Sequence, residues 1–235
     1  MALFVVAHGA WSSGWAWRKM RPLMRAAGHD LFTPSYTGLG ERQHLSSRRV
    51  NLSLHIDDVV NVLEFEDLRD VVVIGHSFGG LVATGVAVRA PSRIARIIYL
   101  DAFVPDEGQS LMDLVPAQAR EAMTAACLAG DGWRVPPRDM PPDTPDEDRA
   151  WAAPRRVAHP IAAFEERLSL SGVPLPPRAY IYCQRADGND SFGPFAARAR
   201  QEGWPYAEID ASHNPHITAP RELCGALESV TTRLS

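Results

Sequence analysis

Ten residues constrain this chain more than any others: Val71-Val72-Val73-Ile74-Gly75-His76-Ser77-Phe78-Gly79-Gly80. Four consecutive β-branched residues read as a strand buried on both faces. Gly75 to Gly79 then fits G-x-S-x-G. Residues 81–90 are small and apolar, read as a helix, and stop at Pro91. Strand, sharp turn and helix form the setting in which a serine is forced into an unfavourable backbone conformation and its hydroxyl is held out above a sheet edge. Gly75 and Gly79 leave room where strand and helix crowd the turn. The free N–H groups at the start of the helix face any negative charge formed beside Ser77. A chance G-x-S-x-G is common, but the flanking strand and helix argue against chance.

The remainder of the chain suits a buried parallel strand of this kind. Its 235 residues suffice for one substantial core. With 46% hydrophobic and 22% charged residues the composition is ordinary for a globular protein, and the net charge of −4 comes without any Lys/Arg block. That excludes nucleic acid or an anionic membrane as the expected partner. No apolar run is long enough for a membrane helix, and a first strand at about Leu3 leaves no room for a signal peptide. Cys127, Cys183 and Cys224 offer neither a disulfide framework nor metal spacing, and the histidines show no metal-ligand spacing. A soluble cytoplasmic protein without metal or cofactor is the expectation; the sequence leaves the oligomeric state open.

Taken in order, strands are expected at residues 3–8, 29–34, 71–74, 96–100, 178–183 and 206–209, with helices near 15–27, 54–66, 81–90, 192–202 and 221–234. Alternation of this sort implies right-handed crossovers, a mostly parallel sheet of about six strands with flanking helices, and a site at the carboxyl ends of the strands. His8, Ser77 and Asp101 fall at such ends. Residues 103–170 break the alternation. They are Pro-rich, with helical pieces near 111–129 and 146–153, and read as a cap inserted into a core made of residues 1–102 and 171–235. Trp133 and Trp151 favour a packed cap over a loose surface excursion.

The segments His8-Gly9-Ala10-Trp11, Gly38-Leu39-Gly40, Gly75-His76-Ser77-Phe78-Gly79-Gly80, Tyr99-Leu100-Asp101-Ala102 and Ser212-His213-Asn214-Pro215-His216 together resemble the α/β-hydrolase superfamily. Within it the chain is similar to the methylesterase and hydroxynitrile lyase group and related bacterial esterases. The segments run in the right order over nearly the whole chain. The resemblance implies an α/β-hydrolase fold with Ser77 as nucleophile and His213 as its base, since a free hydroxyl is a weak nucleophile at neutral pH. The chain order Ser, acid, His has two solutions for the acid. Asp101 ends the strand after the elbow, where haloalkane dehalogenases of this fold carry theirs. Asp187 follows the next strand, one residue later than methylesterases place theirs, and Asp190 is a third choice. Backbone N–H groups of Phe78 and, by resemblance, Ala10 would hold a developing oxyanion. Trp11, Phe103, Trp133 and Trp151 are the expected pocket residues.

These residues point to cleavage of a small or medium carboxylic ester through an acyl-enzyme intermediate, with the ester as the only partner. Two alternatives stay on the page: a lyase on the same triad, such as one cleaving cyanohydrins, and a ligand-binding receptor. Related lyases carry Lys directly after the histidine and Thr in the first loop, where this chain has Asn214 and Trp11.

Overall fold

The computed structural model describes residues 1–186 and 190–232. Strand β1 (Leu3–Ala7) is followed by a 3-10 turn over Gly14–Trp17 and helix α1 (Met20–Ala26), then β2 (Asp30–Phe32), α2 (Leu52–Phe65), β3 (Val71–His76), α3 (Gly79–Arg89) and β4 (Ile94–Leu100). Residues between β4 and the next core strand contain α4 (Leu111–Leu114), α5 (Ala117–Ala129), β5 (Arg134–Val135), α6 (Asp146–Ala152), β6 (His159–Pro160) and α7 (Ala162–Glu165). The chain then returns through β7 (Arg178–Cys183), α8 (Gly193–Gln201), β8 (Tyr206–Ile209), α9 (Pro215–Thr218) and α10 (Pro220–Thr232).

Six strands form one sheet in the order β2-β1-β3-β4-β7-β8, and every pairing in it is parallel. All six residues of β3 are buried, as a central strand covered on both faces demands. Side chains alternate between two cores: Val71, Val73 and Tyr99 point into one with α2, α3 and the insertion, while Val72, Ile74 and Ile98 point into the other with α1 and α10.

Several expected elements differ in detail. The predicted helix over 15–27 splits, because Gly14–Trp17 is drawn into a 3-10 turn and α1 begins only at Met20. The predicted helical piece near 111–129 breaks before Pro116, which cannot continue a helix through its own missing N–H. The insertion also contains a feature that periodicity cannot show. It is the two-residue antiparallel pair β5–β6, with Val135 opposite His159.

Candidate active site

Three non-glycine residues with left-handed backbones stand at neighbouring strand ends: Trp11 (φ 59°) after β1, Ser77 (φ 56°) after β3 and Asp101 (φ 41°) after β4. A side chain in this region carries a steric cost, and its persistence marks a turn over-determined by its surroundings. At Ser77 the surroundings are visible. Its N–H donates to the Leu100 carbonyl (3.3 Å), and its carbonyl accepts from Gly80 (3.0 Å) and Phe103 (3.3 Å). The helix then passes so close to β1 that a Cβ at Gly79 would lie 2.0 Å from the Ala7 carbonyl oxygen. Any larger residue there would push the serine turn off the sheet.

Asp101 reaches His213, with Oδ2 2.7 Å from Nδ1. The other carboxylate oxygen accepts from the Cys183 N–H (3.3 Å), and the Asp101 N–H donates to the Ile181 carbonyl (2.8 Å). The Tyr180 hydroxyl receives the Ala102 N–H (3.1 Å) and donates to the Ala102 carbonyl (2.9 Å), pinning the turn from β7. Asp101 itself is buried. A carboxylate so held fixes the Nδ1–H tautomer and leaves Nε2 free to accept a proton. His213 lies flat against Phe192 (ring centroids 4.7 Å apart), and its carbonyl accepts a 2.7 Å hydrogen bond from Nε2–H of His76. The residue between Gly75 and Ser77 in the motif therefore anchors the backbone of His213.

Asp190 has its partners away from His213. Asp190 is exposed and accepts from the Tyr182 hydroxyl (2.7 Å) and the Phe192 and Gly193 N–H groups (3.0 and 2.7 Å), capping α8 as turn aspartates do. Asp187 lies outside the described residues.

The loop carrying Ala10 is held from an unexpected direction. The Trp11 N–H donates to Nδ1 of His159 (3.3 Å), and the Trp11 indole donates to the Val135 carbonyl (2.9 Å), both on the β5–β6 pair. With Nδ1 accepting, the neutral His159 ring carries its proton on Nε2 and donates to Nε2 of His55 (3.2 Å). His55 then carries its own proton on Nδ1, facing Asp58 at 3.9 Å. Asp58 is tied to Thr37 through its N–H (2.5 Å) and hydroxyl (2.8 Å) and to Arg42 (2.9 Å). His8 is likewise fixed: its Nε2 accepts from the Tyr36 N–H (3.3 Å), so Nδ1–H donates to the Gly9 carbonyl (2.9 Å). Burial lowers His8 to about 3, lowers His55, and holds His159 and His76 well below the ordinary imidazole range. These rings are neutral structural hydrogen-bonders.

Ser77, His213, Phe78 and Ala10 all line one cavity of about 240 Å³, small for a ligand pocket. Among the described residues neither the Phe78 nor the Ala10 N–H has a hydrogen-bond partner, so both donors are available there. Trp11 and Phe103 are on the wall as expected. Trp133 and Trp151 are not, which corrects the expectation for both. Trp151 packs edge-on against Trp15 (5.2 Å) under the guanidinium of Arg18, and Trp133 is covered by Arg134 (4.6 Å). Their large rings serve the packing of the insertion. Trp15, Arg156 and His216 line the cavity instead. No periodicity or motif marks Arg156, whereas His216 follows His213 by a single short turn.

Parallel sheet, serine turn and cavity are those of a hydrolase of the α/β type, and the chain belongs to the alpha/beta hydrolase family, whose profile matches residues 4–226. It is similar to a carbendazim hydrolyzing esterase from Nocardioides sp. (37% identical, spanning 98% of this chain and 100% of that one), and by family and relatives it is an ester hydrolase. It is also similar to salicylic acid-binding protein 2 of Nicotiana tabacum (32% identical over 44% of this chain and 40% of that one). Among solved structures, an extracellular alpha/beta-hydrolase from a Paenibacillus species shares the fold, with TM-score 0.84 and 23% identity over 97% of this chain and 99% of that one. Among the described residues no helix is long and apolar enough to cross a membrane, and no cluster could hold a metal ion.

Proposed function

We propose that this protein hydrolyses small or medium carboxylic esters through an acyl-enzyme formed on Ser77. The observation that carries the reading is the 2.7 Å contact between Asp101 and the far nitrogen of His213, beside a serine on a left-handed turn. His213 Nε2 takes the Ser77 proton as the hydroxyl attacks the ester carbonyl, and Asp101 stabilises the imidazolium that results. Negative charge moves onto the carbonyl oxygen, where the Phe78 and Ala10 N–H groups receive it. The imidazolium then protonates the departing alkoxide. Water, deprotonated by the same nitrogen, releases the acid and restores Ser77. No cofactor enters this scheme. Residues 103–170 act as a cap, closing the cavity with α4, α5 and the segment before α6. Three buried free thiols suit a cytoplasmic setting.

The test is turnover of p-nitrophenyl acetate together with labelling by a fluorophosphonate, with carbendazim among further substrates because a relative hydrolyses it. Ser77→Ala should fold normally, lose the label and lose roughly 10⁴-fold or more in kcat. Comparable turnover by the purified variant would remove Ser77 from the chemistry.

A further inference from the structure

The buried polar chain behind the Ala10 loop has a direction. Asp58, on α2, is a buried carboxylate that accepts from the Thr37 N–H and hydroxyl and from Arg42. It also faces Nδ1 of His55, one helical turn earlier, at 3.9 Å. That nitrogen has no hydrogen-bond partner among the described residues, so the carboxylate acts on it through its charge. A bare lone pair there would be repelled and an N–H is attracted, which places the His55 proton on Nδ1 and leaves Nε2 to accept. His159 then donates from Nε2 (3.2 Å), and its own Nδ1 stays bare for the Trp11 N–H (3.3 Å). The opposite tautomers would set a proton of His159 against the N–H of Trp11. The two rings are fully buried and neutral, so bulk water cannot compensate a wrong tautomer.

The peptides on either side of Ala10 are held by different histidines. The Gly9 carbonyl accepts from His8 (2.9 Å), and in a planar trans peptide the Ala10 N–H points the opposite way. The next peptide is held through the Trp11 N–H, and Trp11 keeps a left-handed backbone (φ 59°) that persists only where its surroundings enforce it. We propose that Asp58, His55 and His159 form a second relay, separate from Asp101 and His213, that holds the Ala10 N–H where the oxyanion forms. The inference rests on the hydrolase reading above and deepens it. None of the three lines the cavity, so all three are positioning residues. His159 acts on the loop directly, while Asp58 and His55 act through the tautomer they select. The insertion, which carries His159, thereby serves catalysis as well as the shape of the cavity.

Aromatic and amide replacements separate this role from packing. His159→Phe keeps a ring against Phe164 (4.4 Å) but removes the acceptor, whereas His159→Asn gives up the ring and offers an amide oxygen near the Nδ1 position. His55→Phe likewise keeps the stack on Tyr36 (4.7 Å), and His55→Gln keeps an acceptor for His159. With p-nitrophenyl acetate both Phe variants should lose about 10–100-fold in kcat with KM nearly constant, and the amide variants should recover much of that loss although they pack worse. Benzyl trifluoromethyl ketone, which adds to Ser77 as a tetrahedral oxyanion, should weaken in step with kcat, while benzyl alcohol binds all variants alike. Imidazole nitrogen NMR shifts of the wild type read the tautomers without any variant, and the relay requires Nδ1–H on His55 and Nε2–H on His159. Phe variants that match or exceed the amide variants in kcat, or the opposite tautomers in the spectrum, overturn the relay and leave the hydrolase intact. A wild type that neither cleaves p-nitrophenyl acetate nor takes the fluorophosphonate label overturns the hydrolase reading, and the relay falls with it.

Discussion

Mild acid should destabilise this protein before its carboxylates titrate. His8 and His216 are buried, and the loss of hydration holds both near pKa about 3, against 6.5 for an exposed imidazole. Between those values the unfolded chain binds protons that the folded chain refuses, so stability is full above about pH 6.5 and is lost as the pH falls toward 3. At pH 5 each ring has forgone roughly 1.5 pH units of protonation, at about 1.4 kcal/mol per unit, or about 2 kcal/mol. The pair removes about 4 kcal/mol out of the 5–15 kcal/mol typical of a domain. His55, His76 and His159 are lowered by the same cause and steepen the fall. The assay is denaturant unfolding at 25 °C at a series of pH values between about 7 and 5. His216→Phe, whose ring can keep the stack on Trp17, should reduce the slope by one proton, about 1.4 kcal/mol per pH unit. A stability that stays flat from pH 7 to pH 5, or an unchanged slope in His216→Phe, would refute the reasoning.

Replacing Asp101 by Asn keeps its shape but favours the wrong tautomer of His213, and should lower kcat by roughly 10⁴-fold, while Asp190→Asn changes it little; the reverse ranking in steady-state kinetics would move the acid to the later loop. His159→Ala leaves the Trp11 N–H without its acceptor and loosens the Ala10 loop, so kcat should fall by about 10–100-fold with KM nearly constant. Lys19 binds the buried Asp148 at 2.5 Å and the Ile217 carbonyl at 2.9 Å, joining α6 to the segment that follows His213. Lys19→Met strands that carboxylate and should cost about 3 kcal/mol in denaturant unfolding.

The fold and the sharp turn that carries Ser77 were legible because they rest on local patterns. Val71 to Ile74 read as a doubly covered strand because four β-branched residues run straight into a turn motif, and the glycines around Ser77 report close approach. The acid was not legible between Asp101 and Asp187, since both follow parallel strands and sequence cannot tell which strand end turns toward His213. The structure brings Asp101 there by a left-handed turn that no propensity announces in an aspartate. Trp133 and Trp151 misled for a related reason: a tryptophan in a Pro-rich segment needs burial, and packing under Arg134 or Arg18 satisfies that need as well as a cavity does. Arg156 was invisible among 24 Lys and Arg residues, because nothing local marks which cation faces inward.

The double grip of β5–β6 on Trp11 has a consequence for how this protein can change. A detachable lid could be exchanged among relatives to alter substrate choice while the core stayed constant. Here residues 134–160 hold the backbone of Trp11, one step from Ala10, through His159, and its indole through Val135. A chimera that imports another protein's insertion without its matching first loop would lose the hydrogen bonds that hold the Trp11 loop. The segments around residues 9–12 and 134–160, far apart in the chain, form one structural unit. Recombination in the laboratory should succeed when the pair travels together and fail when either travels alone.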